Sequence, residues 1–381
     1  MFVHSLRIGS IFGIEIRIDP SWLVIAFLVG WSFYAQFAFR FPDLEIAANV
    51  LLAIASVVIF FGSVLIHELS HSMVARTLGI PVEGITLFLF GGVTKTKLEA
   101  RQPRDEFMVA VVGPLTSIAL AGLFWMVVNL TGDLLPEPAL YAVGYLGWIN
   151  LALGLFNLLP GFPLDGGRVL RSILWRASGD LTASTRQAAT AGKVIAMVIT
   201  GYGILTVFAG DLGGLWLAAI GWFLYLAATA ADQDVTLRHL LGDVSAEDLM
   251  SPDLVSISST ATISEAVDKF FLRYDHSAFP VTDTERSGLL TLRAIRQIPR
   301  EQWEMRQVWT AITDLDETCT VAPTTPMDQV LERLREREQD RVLVVEEGRI
   351  LGIITPRDIA RWVRRSQELG LDSTPRQTRP T

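Results

Sequence analysis

The stretch "VLIHELSHSMVARTLGI", residues 64–80, holds His67 and His71 four positions apart, with Glu68 beside the first. On a helix that spacing puts both imidazoles on one face, one turn apart, where they can grip a single divalent ion. Glu68 is then placed to accept a proton from water that the ion has acidified. The chemistry predicted is metal-assisted hydrolysis. A catalytic zinc ordinarily takes three protein ligands and keeps one position open. No histidine follows His71 at the offsets of soluble zinc proteases; His239 and His276 are isolated and are expected to be surface or packing residues. The candidate third ligand is Asp165 in "FNLLPGFPLDGGRVLR", where two prolines stop the preceding helix and Gly166 and Gly167 are expected to let the chain bend.

These groups sit in apolar surroundings. Half of the 381 residues are hydrophobic and the mean hydropathy is +0.39, the composition of a membrane protein. Six segments, near 22–39, 47–69, 107–130, 140–159, 194–209 and 215–230, are apolar and long enough to cross a hydrocarbon core about 30 Å thick. Arg76, Lys95, Lys97, Arg101 and Arg104 follow the second, and Arg168, Arg171, Arg176, Arg186 and Lys193 follow the fourth. The loops "TGDLLPEPA" and "GDLGG" carry no lysine or arginine, so both termini are expected in the cytoplasm. Spans two and four then run in the same direction and end at one depth, which brings Asp165 to His71. Ionisable side chains at membrane depth are costly and mark function.

"HELSH" at the end of one span and "NLLPGFPLDGG" at the end of another resemble the site-2 protease family of intramembrane zinc metalloproteases, over roughly residues 1–232. The resemblance implies one zinc per subunit on His67, His71 and Asp165, with Glu68 as general base. It implies a transmembrane protein substrate in the lipid bilayer, cut near the cytosolic face. Asn157 matches the asparagine with which the family holds substrate or stabilises the oxyanion; an interhelical hydrogen bond is the plain alternative. In "GITLFLFGGVTKTKLEA", alternating apolar residues flank Gly91 and Gly92, which resembles the family's membrane-entering hairpin. An open edge there would accept an unwound substrate as an added strand, whereas a surface hairpin is the other reading. "VVGPLTS" resembles the family's Gly-Pro motif, with Gly113 and Pro114 expected to serve packing and a kink. A further short hairpin is expected around residues 11–18.

From residue 232 the composition turns charged and mixed, and a unit of about sixty residues occurs twice, each copy patterned as short strand, helix, two short strands, helix. This resembles a tandem pair of cystathionine-beta-synthase (CBS) domains. The fold class expected is a polytopic α-helical membrane domain of about six spans with a small β-hairpin element, followed by a cytosolic α+β CBS pair. The domain plan is 1–231 for the transmembrane metalloprotease, 232–243 for a linker, 244–300 and 308–366 for the two CBS domains, and 367–381 for a flexible tail. The resemblance implies an adenine nucleotide held by Gly-x-x-Thr-x-x-Asp, matched by Gly352, Thr355 and Asp358. The first copy has Gly288 and Thr291 but Ala294 in place of the acid. A pair that serves homodimerisation or substrate gating is the alternative.

The single cysteine, Cys319, excludes an internal disulfide framework and a cysteine-ligated zinc, suits a reducing compartment, and is expected to pack. A net charge of −8 gives no basic footprint for nucleic acid. The N-terminus is unlike a cleaved signal. The expected location is the plasma membrane of a bacterium or archaeon. A CBS-gated ion transporter or channel without protease activity is the competing function; a glutamate in register with the two histidines favours hydrolysis.

Overall fold

Long apolar runs dictate helices wherever lipid offers the backbone no partner, since a helix satisfies its own peptide groups. The computed structural model describes residues 5–89, 91–96, 100, 102–132, 134–241, 244–252, 255–274, 276, 278–282, 287–314, 320–336, 341–347 and 349–369. Cys319, Lys97, Arg101 and residues 370–381 of the expected tail lie outside them. The chain divides into two units, Met1–Val235 and Thr236–Thr381.

In the first unit, strands β1 (Leu6–Ile11) and β2 (Ile14–Ile18) precede helices α1 (Ser21–Arg40) and α2 (Ile46–Thr77). Strands β3 (Val82–Phe88) and β4 (Gly91–Thr96) follow, then α3 (Pro103–Thr131), α4 (Glu137–Asn157), α5 (Asp165–Ser178), α6 (Leu181–Phe208) and α7 (Gly214–Leu241). Among the described residues six helices, all but α5 of these seven, are long and apolar enough to span a bilayer. The span expected at 194–209 belongs to a longer helix, because Asp180 caps α6 by accepting from Ala183 N at 2.9 Å and starts it well before the apolar run. Helix α2 stops where Gly79 takes φ +76°, with Ile80 N donating back to Ala75 O at 3.0 Å.

The two expected hairpins are one sheet of order β1-β2-β3-β4. Phe12 and Gly13, at φ +52° and +75°, make the tight turn between β1 and β2. Strand β2 pairs in parallel with β3, Ile16 opposite Ile85, so α1 and α2 form the crossover that parallel strands require. Ile14, Ile16, Ile85 and Leu87 bury one sheet face against Val64 and Leu69 of α2. That packing fixes the sheet beside the turn of α2 that carries Glu68. Strand β4 is an edge.

The second unit contains α8 (Ala246–Leu249), α9 (Ile263–Ala266), β5 (Ala278–Thr282), β6 (Ser287–Thr291), α10 (Leu292–Arg296) and β7 (Thr313–Asp314). It continues with β8 (Thr320–Val321), α11 (Met327–Glu336), β9 (Val342–Glu346), β10 (Arg349–Ile354) and α12 (Pro356–Glu368). The sheets β5-β6-β7 and β10-β9-β8 each carry their own core, around Ile257, Phe279 and Leu290 in the first copy and Val330, Val342 and Ile354 in the second. The division between the two units falls within the stretch 232–243 expected as a linker, and its residues 232–241 are helical, the end of α7. No glycine or proline interrupts the helix there, and its last residue, Leu241, is fully buried in the second-copy core.

Candidate metal centre

The histidine pair lies in the last third of α2, where the bundle replaces lipid with protein: His67 is 4% and His71 5% exposed. Asp165 is the first residue of α5 and places Oδ2 3.2 Å from both His67 Nε2 and His71 Nε2. The two Nε2 atoms are also 3.2 Å apart, so the three ligand atoms form a nearly equilateral triangle. Tetrahedral ligands bonded at about 2.0–2.1 Å stand about 3.3 Å from one another, so the triangle has the size of one face of such a site.

The far side of each ring says which atoms are free to bind. His71 Nδ1 lies 2.6 Å from Val109 O, and since a carbonyl only accepts, Nδ1 carries the hydrogen and Nε2 presents a lone pair. His67 Nδ1 bonds Ser117 Oγ at 2.9 Å. With Ser117 Oγ accepting from His67 Nδ1, lone pairs on two imidazoles and a carboxylate converge on one point, an arrangement that repels itself until a cation is shared. A Cβ built on Gly113 would stand 2.1 Å from His71 Nε2 and 2.7 Å from His67 Nε2. Residue 113 must therefore be glycine for the imidazoles to converge, a sharper requirement than the packing role its motif suggests. The residues present fit a divalent metal.

Glu68 points toward the sheet. Thr94 of β4 donates Oγ1–H to Glu68 Oε2 at 3.0 Å, and a Cβ on Gly92 would meet Glu68 Cγ at 2.5 Å. Strand β4 thus lies directly over the carboxylate. Gly91 has a separate reason to be glycine, its φ of +129° where the hairpin turns.

One expectation changes. Asp165 opens a helix instead of sitting in a bend, and Gly166 and Gly167 are helical. Their missing side chains admit neighbouring backbone: a Cβ would come 2.3 Å from Leu158 O at Gly166 and 2.4 Å from Gly161 C at Gly167. Asn157 donates Nδ2–H to Leu153 O at 3.0 Å in its own helix, and no bond among the described residues joins it to the ligands or to another helix. Sequence reasoning passed over Ser117, Val109 and Thr94. Only the one-face spacing of 109, 113 and 117 along α3 hinted at the first two.

In the CBS unit, Thr355 and Asp358 form a capping box at the start of α12, Thr355 N and Oγ1 lying 3.0 and 2.6 Å from Asp358 Oδ2. Asp358 Oδ1 accepts from Ser251 Oγ at 3.1 Å. Gly352 is tied to packing, because a Cβ there would meet Met250 Sδ at 2.4 Å. In the first copy Thr291 Oγ1 caps α10 by accepting from Ala294 N at 3.1 Å. A cavity of about 600 Å³ is lined by Phe271, Tyr274, Thr355, Asp358 and Arg361 together with His276, an exposed residue whose ring stands 6.2 Å from that of Tyr274.

The Peptidase family M50 model matches residues 55–143 and 132–200, and the CBS domain model matches 246–301 and 313–365. Rip3 of Mycobacterium tuberculosis, provisionally named a zinc metalloprotease, is 36% identical over 364 residues, 94% of this chain and 93% of that protein. The chain belongs to peptidase family M50, the site-2 proteases. A zinc metalloprotease of Methanocaldococcus jannaschii is 29% identical to this M50 protein over 360 residues, 94% of this chain and 96% of that one. A solved site-2 protease from the same archaeon aligns over 60% of this chain and 95% of its own, at 28% identity and a TM-score of 0.42. The M50 chain is thus a multi-pass zinc metalloprotease of the intramembrane class with a tandem CBS pair, and the transporter reading is not favoured.

Proposed function

We propose that His67, His71 and Asp165 hold the zinc, that Glu68 is the general base, and that an unwound segment of a transmembrane protein is cut beside β4. The observation that carries this reading is the 3.2 Å triangle of ligand atoms whose two imidazoles are each bonded on the opposite nitrogen. When bound, zinc supplies a Lewis acid that polarises the scissile carbonyl and lowers the pKa of the attacking water. Glu68 takes the proton from that water and returns it to the leaving amide nitrogen. Thr94 occupies Oε2 and fixes the carboxylate's direction, which leaves Oε1 to carry the proton. Among the described residues β4 is the outer strand of its sheet, an edge that an extended substrate could join, and Gly92 lets that strand pass over Glu68 without a side chain in between.

Stripping the metal with a chelator is expected to stop cleavage of a membrane-spanning reporter in proteoliposomes, and one equivalent of zinc per chain should restore it. Cleavage persisting in protein shown by mass spectrometry to be zinc-free would overturn the assignment.

The basic residues after α2 and α4 support a cytosolic position for the site and for both termini, in a bacterial or archaeal plasma membrane. The cavity beside Asp358 suits an adenine nucleotide, with Phe271 and Tyr274 against the base and Arg361 near the phosphates. Ribose hydroxyls would compete with Ser251 for Asp358 Oδ1. Asp358→Ala is expected to weaken ATP or AMP binding by about 10-fold or more in calorimetry, from the loss of hydrogen bonds to a charged group. Unchanged affinity in the variant, or no heat with the parent protein, would reject nucleotide binding at this position.

A further inference from the structure

We propose that Glu106 and Arg171 form a buried clamp that holds Asp165 in register with the two histidines, which makes Arg171 a positioning residue for the metal centre. This rests on the reading of Asp165 as a ligand.

Glu106 stands in the first turn of α3 and is 1% exposed. A carboxylate that deep is tolerated only when paired and hydrogen-bonded. Its partner is Arg171 of α5, whose Nε donates to Glu106 Oε1 at 2.7 Å and whose Nη2 bonds the same oxygen. Arg168 Nε stands 3.9 Å from that oxygen. The Arg171 guanidinium also lies 5.1 Å from the centre of the Phe162 ring, in the turn that leads into Asp165. One side chain therefore grips α3 and the segment before the ligand, from the helix that the ligand itself begins.

The other two ligands are referenced to the same surface. Glu106, Val109, Gly113 and Ser117 recur at helical spacing along one face of α3. Val109 O holds His71, Gly113 makes room for both Nε2 atoms, and Ser117 holds His67. Glu106 completes the set by fixing α5. A ligand triangle 3.2 Å on a side tolerates displacements of only about 0.5 Å, so a helix free to slide would lose the third ligand.

The test measures zinc dissociation constants by chelator competition, and the visible d–d spectrum of the Co2+-substituted protein, in the full chain in detergent. Parent, Arg171→Gln, Asp165→Asn and the double variant are compared. Arg171→Gln is expected to weaken zinc binding by about 10- to 100-fold and to shift and weaken the Co2+ bands. In the Asp165→Asn background the same change should add less than about 2-fold, because the residue acts through that ligand. A lowered melting temperature with unchanged zinc affinity and Co2+ spectrum would make the pair a folding anchor and overturn the clamp, as would full additivity with Asp165→Asn. If Asp165→Asn alone leaves zinc affinity unchanged, the ligand reading itself fails. If Arg171→Gln does not fold, Arg171→Lys decides. It keeps the buried charge but loses the fork, so affinity reduced by about 5-fold or more supports the clamp and parental affinity rejects it.

Discussion

A Glu68→Gln variant is expected to retain one zinc per chain and to cleave a membrane-spanning reporter about 10²- to 10⁴-fold more slowly than the parent protein, the range a general base contributes. Glutamine has the same shape and can still accept from Thr94, whose hydroxyl sits 3.0 Å from Oε2, so the strand above and the helix below have no reason to move. What it lacks is a basic oxygen at neutral pH. Glu68 itself is no part of the ligand triangle, so the metal is expected to stay. The rate loss corresponds to about 3–5 kcal/mol of transition-state stabilisation. Initial rates in proteoliposomes, alongside zinc content by mass spectrometry, separate the two properties. Parental rates would remove Glu68 from the chemistry, and loss of zinc would make it a structural element of the metal site.

Gly113→Ala is expected to reduce zinc affinity by about 100-fold, the upper end of what changes around a metal site usually cost. The added Cβ would arrive 2.1 Å from His71 Nε2 and 2.5 Å from its Cε1. His71 has little freedom to withdraw, because Val109 O, on the same helix as the new methyl, holds its other nitrogen. The methyl therefore enters where the ligand atoms converge. Overpacking of this kind costs about 1–3 kcal/mol, partly offset by the better helix propensity of alanine, so the variant should fold. Gly122→Ala on the same helix is the control: nothing lies within 4 Å of its added Cβ, and zinc content and melting temperature should stay parental. A fully zinc-loaded Gly113→Ala protein would show that the glycine is not there for the metal.

The parts legible in the sequence are those set by local spacing or by solvent. His67, Glu68 and His71 declare themselves because a helix turns once every 3.6 residues, and the spans because lipid demands unbroken apolar length. The CBS copies are legible through repetition. What stayed hidden depends on which backbones come close. Gly166 and Gly167 look like a bend, yet they are helical and serve the approach of Leu158 and Gly161, a contact that leaves no periodic trace. The parallel pairing of β2 with β3 joins two stretches separated by α1 and α2, and neither strand carries a mark of its partner. Ser117 and Gly113 resemble any small residues at a helix contact; their bearing on the imidazoles emerges only when α3 lies against α2. At 232–241 the charged composition marks the passage between the two units but not its conformation, which is helical to Leu241. Asn157 is legible by motif, and its amide bonds Leu153 O of its own helix.

The most direct measurement is anomalous diffraction from crystals of the full chain, collected on both sides of the zinc absorption edge. The account predicts one strong peak per chain, within about 2.0–2.2 Å of His67 Nε2, His71 Nε2 and an Asp165 carboxylate oxygen. A zinc-replete, active protein whose peak lies elsewhere, or whose peak is not contacted by Asp165, would contradict it.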